Sequence, residues 1–162
     1  MQAIPYPLAP ISYSLMNDYP PEWLQGINEF NTGEYYACHD TLEALWMDSV
    51  DPDKRFYQGV LQIAVACYHL HNRNWKGAVT LLGEGIGRLP YYQPVYAGIN
   101  VAKLIQDSSN LLKILQPIGT DGIGDFVDRL AQDSTLLPVV RFAGFDLNLE
   151  TDINEDAQSE GC

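Results

Sequence analysis

Basic residues are scarce in this sequence: 9 Lys and Arg stand against 21 Asp and Glu, for a formal net charge of −12 at pH 7. Proteins that grip nucleic acid neutralise phosphates with a Lys/Arg footprint, and none is visible. Cysteine is scarcer still. Cys38, Cys67 and Cys162 make an odd count with no C-x-x-C spacing, which argues against a disulfide framework and against a thiolate zinc centre. Buried thiols in a reducing cytoplasm fit better. No apolar run approaches the roughly 18 residues that a membrane span needs. The first nineteen residues carry Pro5, Pro7 and Pro10 but no Lys or Arg, so the basic start and unbroken apolar stretch of a secretory leader are missing. The expectation is a cytoplasmic protein with no nucleic-acid and no membrane partner.

What is present is a globular composition, 46% hydrophobic and 19% charged over 162 residues. That is enough for one domain with its own core. The acidic residues are unevenly spread. Ten of them lie from Asp121 onward against only Arg129 and Arg141, so the last quarter of the chain holds most of the net charge. Three parts follow: a Pro-rich extension over 1–19, a helical domain over 20–145, and an acidic tail over 146–162. Such a tail is ordinarily a solvated end, the alternative being a docking arm for a basic partner.

Helix signals dominate the middle part. The Pro20-Pro21 pair starts a first helix, since first-turn N–H groups have no partner to lose. Gly33 ends it. A second helix over Glu34–Met47 follows at once, predicting an antiparallel hairpin. Asp51-Pro52-Asp53 reads as a turn into a third helix ending near His71, and Asn72-Arg73-Asn74 separates it from a fourth over Trp75–Arg88. Gly77, Gly83, Gly85 and Gly87 weaken that fourth helix, yet allow a neighbour close approach. Tyr91–Gly98 reads as a loop that caps the helices or covers a pocket. Asn100 then caps a fifth helix through Leu115. Signals weaken after Pro117, with one further turn at Phe126–Leu130 and a short apolar patch at Val139–Phe145. The fold expected is all-α, a bundle of about five helices built from two antiparallel, tetratricopeptide-like hairpins and a further packing helix.

Candidate chemistry concentrates on the second and third helices. At 100° per residue, Tyr35, Cys38, Leu42, Leu45 and Trp46 share one apolar stripe, with His39 at its edge and Glu43 one turn on. The third helix is apolar almost all round, which marks a helix surrounded by protein. Along it, Arg55, Gln58, Gln62 and His69 form one narrow polar arc. Unpaired buried amides and charges cost several kcal/mol, so the two stripes are expected to face each other, Glu43 accepting from Arg55 or a glutamine. A His–Glu pair partly out of water suits general acid/base work, and the same residues suit a structural network that fixes helix register. The zincin and di-iron spacings are absent, and Arg55 would repel a cation, so neither a metal nor a cofactor is expected. Gly83-x-Gly85-x-Gly87 lacks the strand and the Lys-Ser/Thr of a phosphate loop.

His39-Asp40-Thr41-Leu42-Glu43-Ala44-Leu45-Trp46 is an H-x-x-x-E-x-x-W motif. Phe30-Asn31-x-Gly33-x-Tyr35-Tyr36 precedes it, and Arg55-x-x-Gln58-Gly59-x-x-Gln62-x-Ala64 and Asn74-x-x-Gly77-Ala78 follow. In this ordered series the chain resembles the domain of unknown function 309 family, over about Trp23 to Leu115. The resemblance implies a small all-helical domain and a site at His39, Glu43 and Trp46, and it implies no activity. Two functions remain open. One is a helical interaction module whose His/Glu/Arg/Gln cluster is a buried structural network. The other is a small enzyme or ligand-binding protein, with His39 and Glu43 as the acid/base pair. There Trp46, Arg55, Gln58, Gln62 and His69 would hold a small anionic ligand, with Arg55 as the anchor.

Overall fold

The computed structural model describes residues 18–144, so the proline-rich start and the acidic tail fall almost wholly outside it. α1 (Pro21–Asn31) begins with proline in its first turn and Glu22 at the positive end of its dipole. It buries Trp23, Ile27 and Phe30, one residue per turn. Gly33, at φ +78°, makes the bend into α2 (Tyr35–Asp48). α2 returns antiparallel, its inner side carrying Tyr35, Cys38 and Leu42. Leu42 Cδ2 would lie only 2.5 Å from a Cβ on Gly26, so α1 and α2 meet almost backbone to side chain.

α3 (Asp53–His71) and α4 (Trp75–Arg88) form the second hairpin. Asn74 caps α4, its side chain accepting from Gly77 N at 3.0 Å. The two helices meet at glycine: a Cβ on Gly85 would stand 2.7 Å from Ile63 Cγ1 and 2.8 Å from the Gly59 carbonyl oxygen. Gly85 is therefore a contact residue, whereas Gly83 and Gly87 face open space.

Residues after Arg88, expected as a plain loop, hold more structure than that. A short 3-10 turn (Leu89–Tyr92) leads to a two-stranded antiparallel hairpin, β1 (Val95–Tyr96) with β2 (Ile99–Asn100). Ala97 and Gly98 both take positive φ at its turn, the geometry that matches strand twist. Two tyrosines, Tyr92 and Tyr96, give this region its function in the fold. Tyr92 donates its hydroxyl to the Pro52 carbonyl at 2.6 Å, Tyr96 donates to Asp53, and both rings pack on Phe56. Tyr92 and Tyr96 cap the helices, whereas Tyr91 stays exposed. Trp23 Nε1 donates to the Ala97 carbonyl at 2.9 Å, tying α1 to the same turn.

α5 (Val101–Leu130) starts at its Asn100 cap and runs much further than the sequence signals suggest. It continues past Pro117 and breaks at Gly119, whose φ of +66° suits glycine. The second half stays helical because Ile123, Phe126 and Leu130 are buried against the bundle. The apolar patch at 139–144 packs too: Phe142 bridges to Ile99, and Asn31 both donates to and accepts from the Val140 backbone at 2.8 Å. Among the described residues the fold is an all-α bundle of two stacked hairpins and a fifth, broken helix, with one minimal β-hairpin. Among the described residues no helix is long and apolar enough to cross a membrane.

Candidate functional site

α3 has an outer face. Its inner side buries Phe56, Val60, Ile63, Ala64 and Cys67, but Leu61 and Val65 are only half-buried and Tyr68 is exposed. Continuous apolarity had implied protein on all sides. The correction is physical: α4 and the core cover one side of α3, α2 covers another, and a strip between α2 and α4 stays open to solvent.

On that strip lies a shallow depression of about 170 Å³, lined by His39 and Trp46 from α2, Gln58, Leu61, Gln62 and Val65 from α3, and Leu81 from α4. Four of the seven candidate residues therefore meet in one place. Glu43 joins them indirectly, its Oε2 lying 3.5 Å from His39 Nε2. Arg55 does not join. It is 71% exposed and pairs with Asp51 at 3.5 Å. His69 stands two helical turns away from Gln62, its Nδ1 3.3 Å from the Asn74 amide.

The buried His/Glu/Arg/Gln network is thus corrected. Side-chain exposures of 36% at His39 and 46% at Glu43 describe a surface pair, and neither Arg55 nor a glutamine donates to Glu43. Gln62 instead donates to Glu84 and accepts from Arg88 Nε, both at 2.9 Å. The polar arc sits at the margin of the helix, where water and α4 satisfy it.

Two features were not legible in the helical pattern. Asp40 reaches His39 Nδ1 at 3.1 Å, although neighbours in a helix do not normally face each other. Its adjacency to the histidine was the available signal. The apolar floor joins Leu81 to Leu61 and Val65, two residues of a helix whose apolarity implies burial on every side. Ligand atoms of His39, Asp40 and Glu43 lie within 4.8 Å of one another, so among the described residues these three could hold a metal ion. Asp40 and Glu43 nonetheless address opposite nitrogens of one ring. A shared ion would require one carboxylate to swing round.

Trp46 is half-buried, with Lys54 Nζ 5.1 Å from its ring centroid. Its Nε1 is buried and has no acceptor among the described residues. Among the described residues the two thiols offer no nucleophile: burial pushes Cys38 and Cys67 up to about 12, so both stay protonated at neutral pH.

Comparison with known proteins finds a likeness to one family. Residues 23–81 match the model of the domain of unknown function DUF309. Over that stretch, about a third of the chain, the sequence is similar to DUF309. The match takes in α1, α2, α3 and the first half of α4, and with them every candidate residue; it stops short of α5, which the motif series had been read as reaching. The chain is also 33% identical over 104 residues to the uncharacterized protein YpuF of Bacillus subtilis (strain 168). That alignment covers 62% of this chain and 56% of YpuF, so the chain spans little more than half of that relative's length. Neither comparison carries an activity to this chain.

Proposed function

We propose that this chain is a helical interaction module whose partner docks on the outer strip of α2, α3 and α4. The observation that carries it is the size and lining of the depression. At about 170 Å³ it falls below the ~300 Å³ at which small-molecule pockets usually begin, yet it suits a single apolar side chain. Trp46, Leu61, Val65 and Leu81 supply the walls, and Tyr36, Met47 and Tyr68 are exposed aromatic or apolar side chains on the same two helices. A half-buried tryptophan in a socket with a polar edge has the make-up of a binding hot spot. Asp40, Glu43 and Glu84 lie on the residues and turns around it, and the chain is strongly acidic. The partner is therefore an amphipathic segment that inserts a Leu-, Ile- or Phe-type anchor and flanks it with Lys or Arg. A cytoplasmic location, with neither nucleic acid nor membrane as partner, belongs to this reading; the shortage of basic residues and the protonated buried thiols support it.

The test uses a designed helical peptide of Leu and Lys, with two controls in which Glu replaces the lysines or Ser replaces the leucines. Amide shifts of the full chain should map to 36–47, 58–65 and 81–84 with the first peptide alone, and Leu61→Asp should abolish them. Equal shifts with all three peptides, or shifts that persist in Leu61→Asp, would sink the proposal.

One observation favours acid/base chemistry as a second reading: the His39 imidazole lies between two carboxylates, 3.1 Å from Asp40 and 3.5 Å from Glu43. On that reading His39 shuttles a proton that Glu43 accepts. The open surroundings give a reacting group little shelter from water, which makes it the weaker of the two.

A further inference from the structure

A second, larger cleft opens where the turn before α3 meets the end of α4. It measures about 660 Å³ and is lined by Asp51, Pro52, Arg55, Gly87, Arg88, Tyr91 and Tyr92. Two of the nine basic residues of a chain with charge −12 converge there, against the field of the whole molecule. Arg88 is held by its Nε–H, donated to Gln62 Oε1 at 2.9 Å, while Gln62 is itself fixed by Glu84. That leaves the terminal nitrogens of Arg88 without a carboxylate within 4.0 Å among the described residues. Arg55 has only the loose, exposed contact with Asp51, a counter-ion that a better-placed anion can displace.

Tyr91 completes the cleft. Its ring is 84% exposed and makes no core contact that explains an aromatic there. It stands edge-on to Tyr92 at 5.2 Å, and Tyr92 is anchored through its hydroxyl to Pro52. An exposed ring fixed by a buried one is a stacking surface already in place. Gly87 keeps the space open, since a Cβ there meets nothing within 4 Å.

We propose that this cleft binds a small organic oxyanion, a carboxylate or phosphate carried on a flat ring. The anionic end lies between the Arg55 and Arg88 guanidinium groups, which present paired N–H donors suited to such an anion. The ring stacks on Tyr91. This cleft is distinct from the depression beside His39, the two being joined only through Gln62, which lines the depression and holds Arg88.

The experiment titrates the isotope-labelled full chain with phenyl phosphate, benzoate and the neutral benzyl alcohol. It follows the Nε–H signals of Arg55 and Arg88 and the amides of residues 87–92. Saturable shifts are expected with one or both anions in the millimolar range or tighter, and none with benzyl alcohol. Arg55→Gln should weaken binding about tenfold or more, the loss expected for a charge-assisted hydrogen bond. Gly87→Leu should leave the melting temperature unchanged or raised, as replacing an exposed helix glycine does, and should abolish the shifts by filling the cleft. The proposal is overturned by an absence of saturable shifts up to about 10 mM of either anion, by an equal response to benzyl alcohol, or by binding that survives Gly87→Leu in a folded protein.

Discussion

Two tryptophans on neighbouring helices divide the molecule into two kinds of surface. Trp23 is fully buried, edge-on to Phe56 at 5.4 Å, and its Nε1–H is donated to Ala97 across the fold. Trp46 is half-buried, borders a depression, and has a buried N–H with no acceptor among the described residues. The first corner is closed, with polar groups of α1, the α3 turn and the hairpin satisfied inside the bundle by Trp23, Tyr92 and Tyr96. The outer strip is open, and its aromatic and apolar groups lack partners that the bundle could supply. Stability should therefore reside in the first region and recognition in the second.

The largest effect tests that division directly. Trp23→Ala should cost about 3–5 kcal/mol, the usual loss for an aromatic removed from a core, with a broken tie to the hairpin added. Trp46→Ala should cost only about 1–2 kcal/mol, because less area is buried and no hydrogen bond is lost. Urea denaturation of the two variants measures both. Equal losses would mean that the outer strip is core after all.

Alkaline pH reaches the closed region through its buried thiols. Cys38 and Cys67 sit on the facing sides of α2 and α3, and burial raises both from an ordinary value of 9.0 to about 12. Burial raises the neighbouring Tyr35 hydroxyl as well. These acids lose protons first in the unfolded chain, so between pH 9 and about 12 the folded state binds more protons. Their contribution is complete below pH 9 and falls as pH rises through that window. Melting temperatures measured across it should drop steadily, and less steeply in a Cys38→Ala/Cys67→Ala variant. A parallel slope in that variant would remove the thiols from the account.

Local signals carried most of the fold. α3 and α4 end where Pro52, Asn74 and the Leu89-Pro90 pair say they should, because caps and breakers act within one turn. α5 was harder: Pro117 and Gly119 break it locally, but burial of Ile123, Phe126 and Leu130 outweighs that preference. The candidate site was legible by residue and not by arrangement. Helical periodicity places His39, Glu43 and Trp46 on one edge of α2 and Arg55, Gln58 and Gln62 on one arc of α3. It does not say how far each helix is rotated towards its neighbour. That rotation sends Arg55 to the second cleft and hands Gln62 to Glu84 and Arg88 of α4. Leu61 and Val65 looked like core for the same reason.

Glu43→Gln should produce the smallest change and bears most on the comparison. Glu43 is the central acid of the motif that defines the outer strip, and a buried pair broken at one end would cost about 3–5 kcal/mol. The observed pair is different: Glu43 is 46% exposed and 3.5 Å from His39. Exposed ion pairs contribute about 0–1 kcal/mol, since water already solvates both groups and the side chains lose freedom in meeting. The melting temperature of Glu43→Gln should therefore stay close to that of the unmodified chain. A large drop would restore the buried network and erase the distinction between the two surfaces. An unchanged melting temperature, with weaker binding of the Leu/Lys peptide, would place the use of this acid outside the fold, at the face that meets a partner.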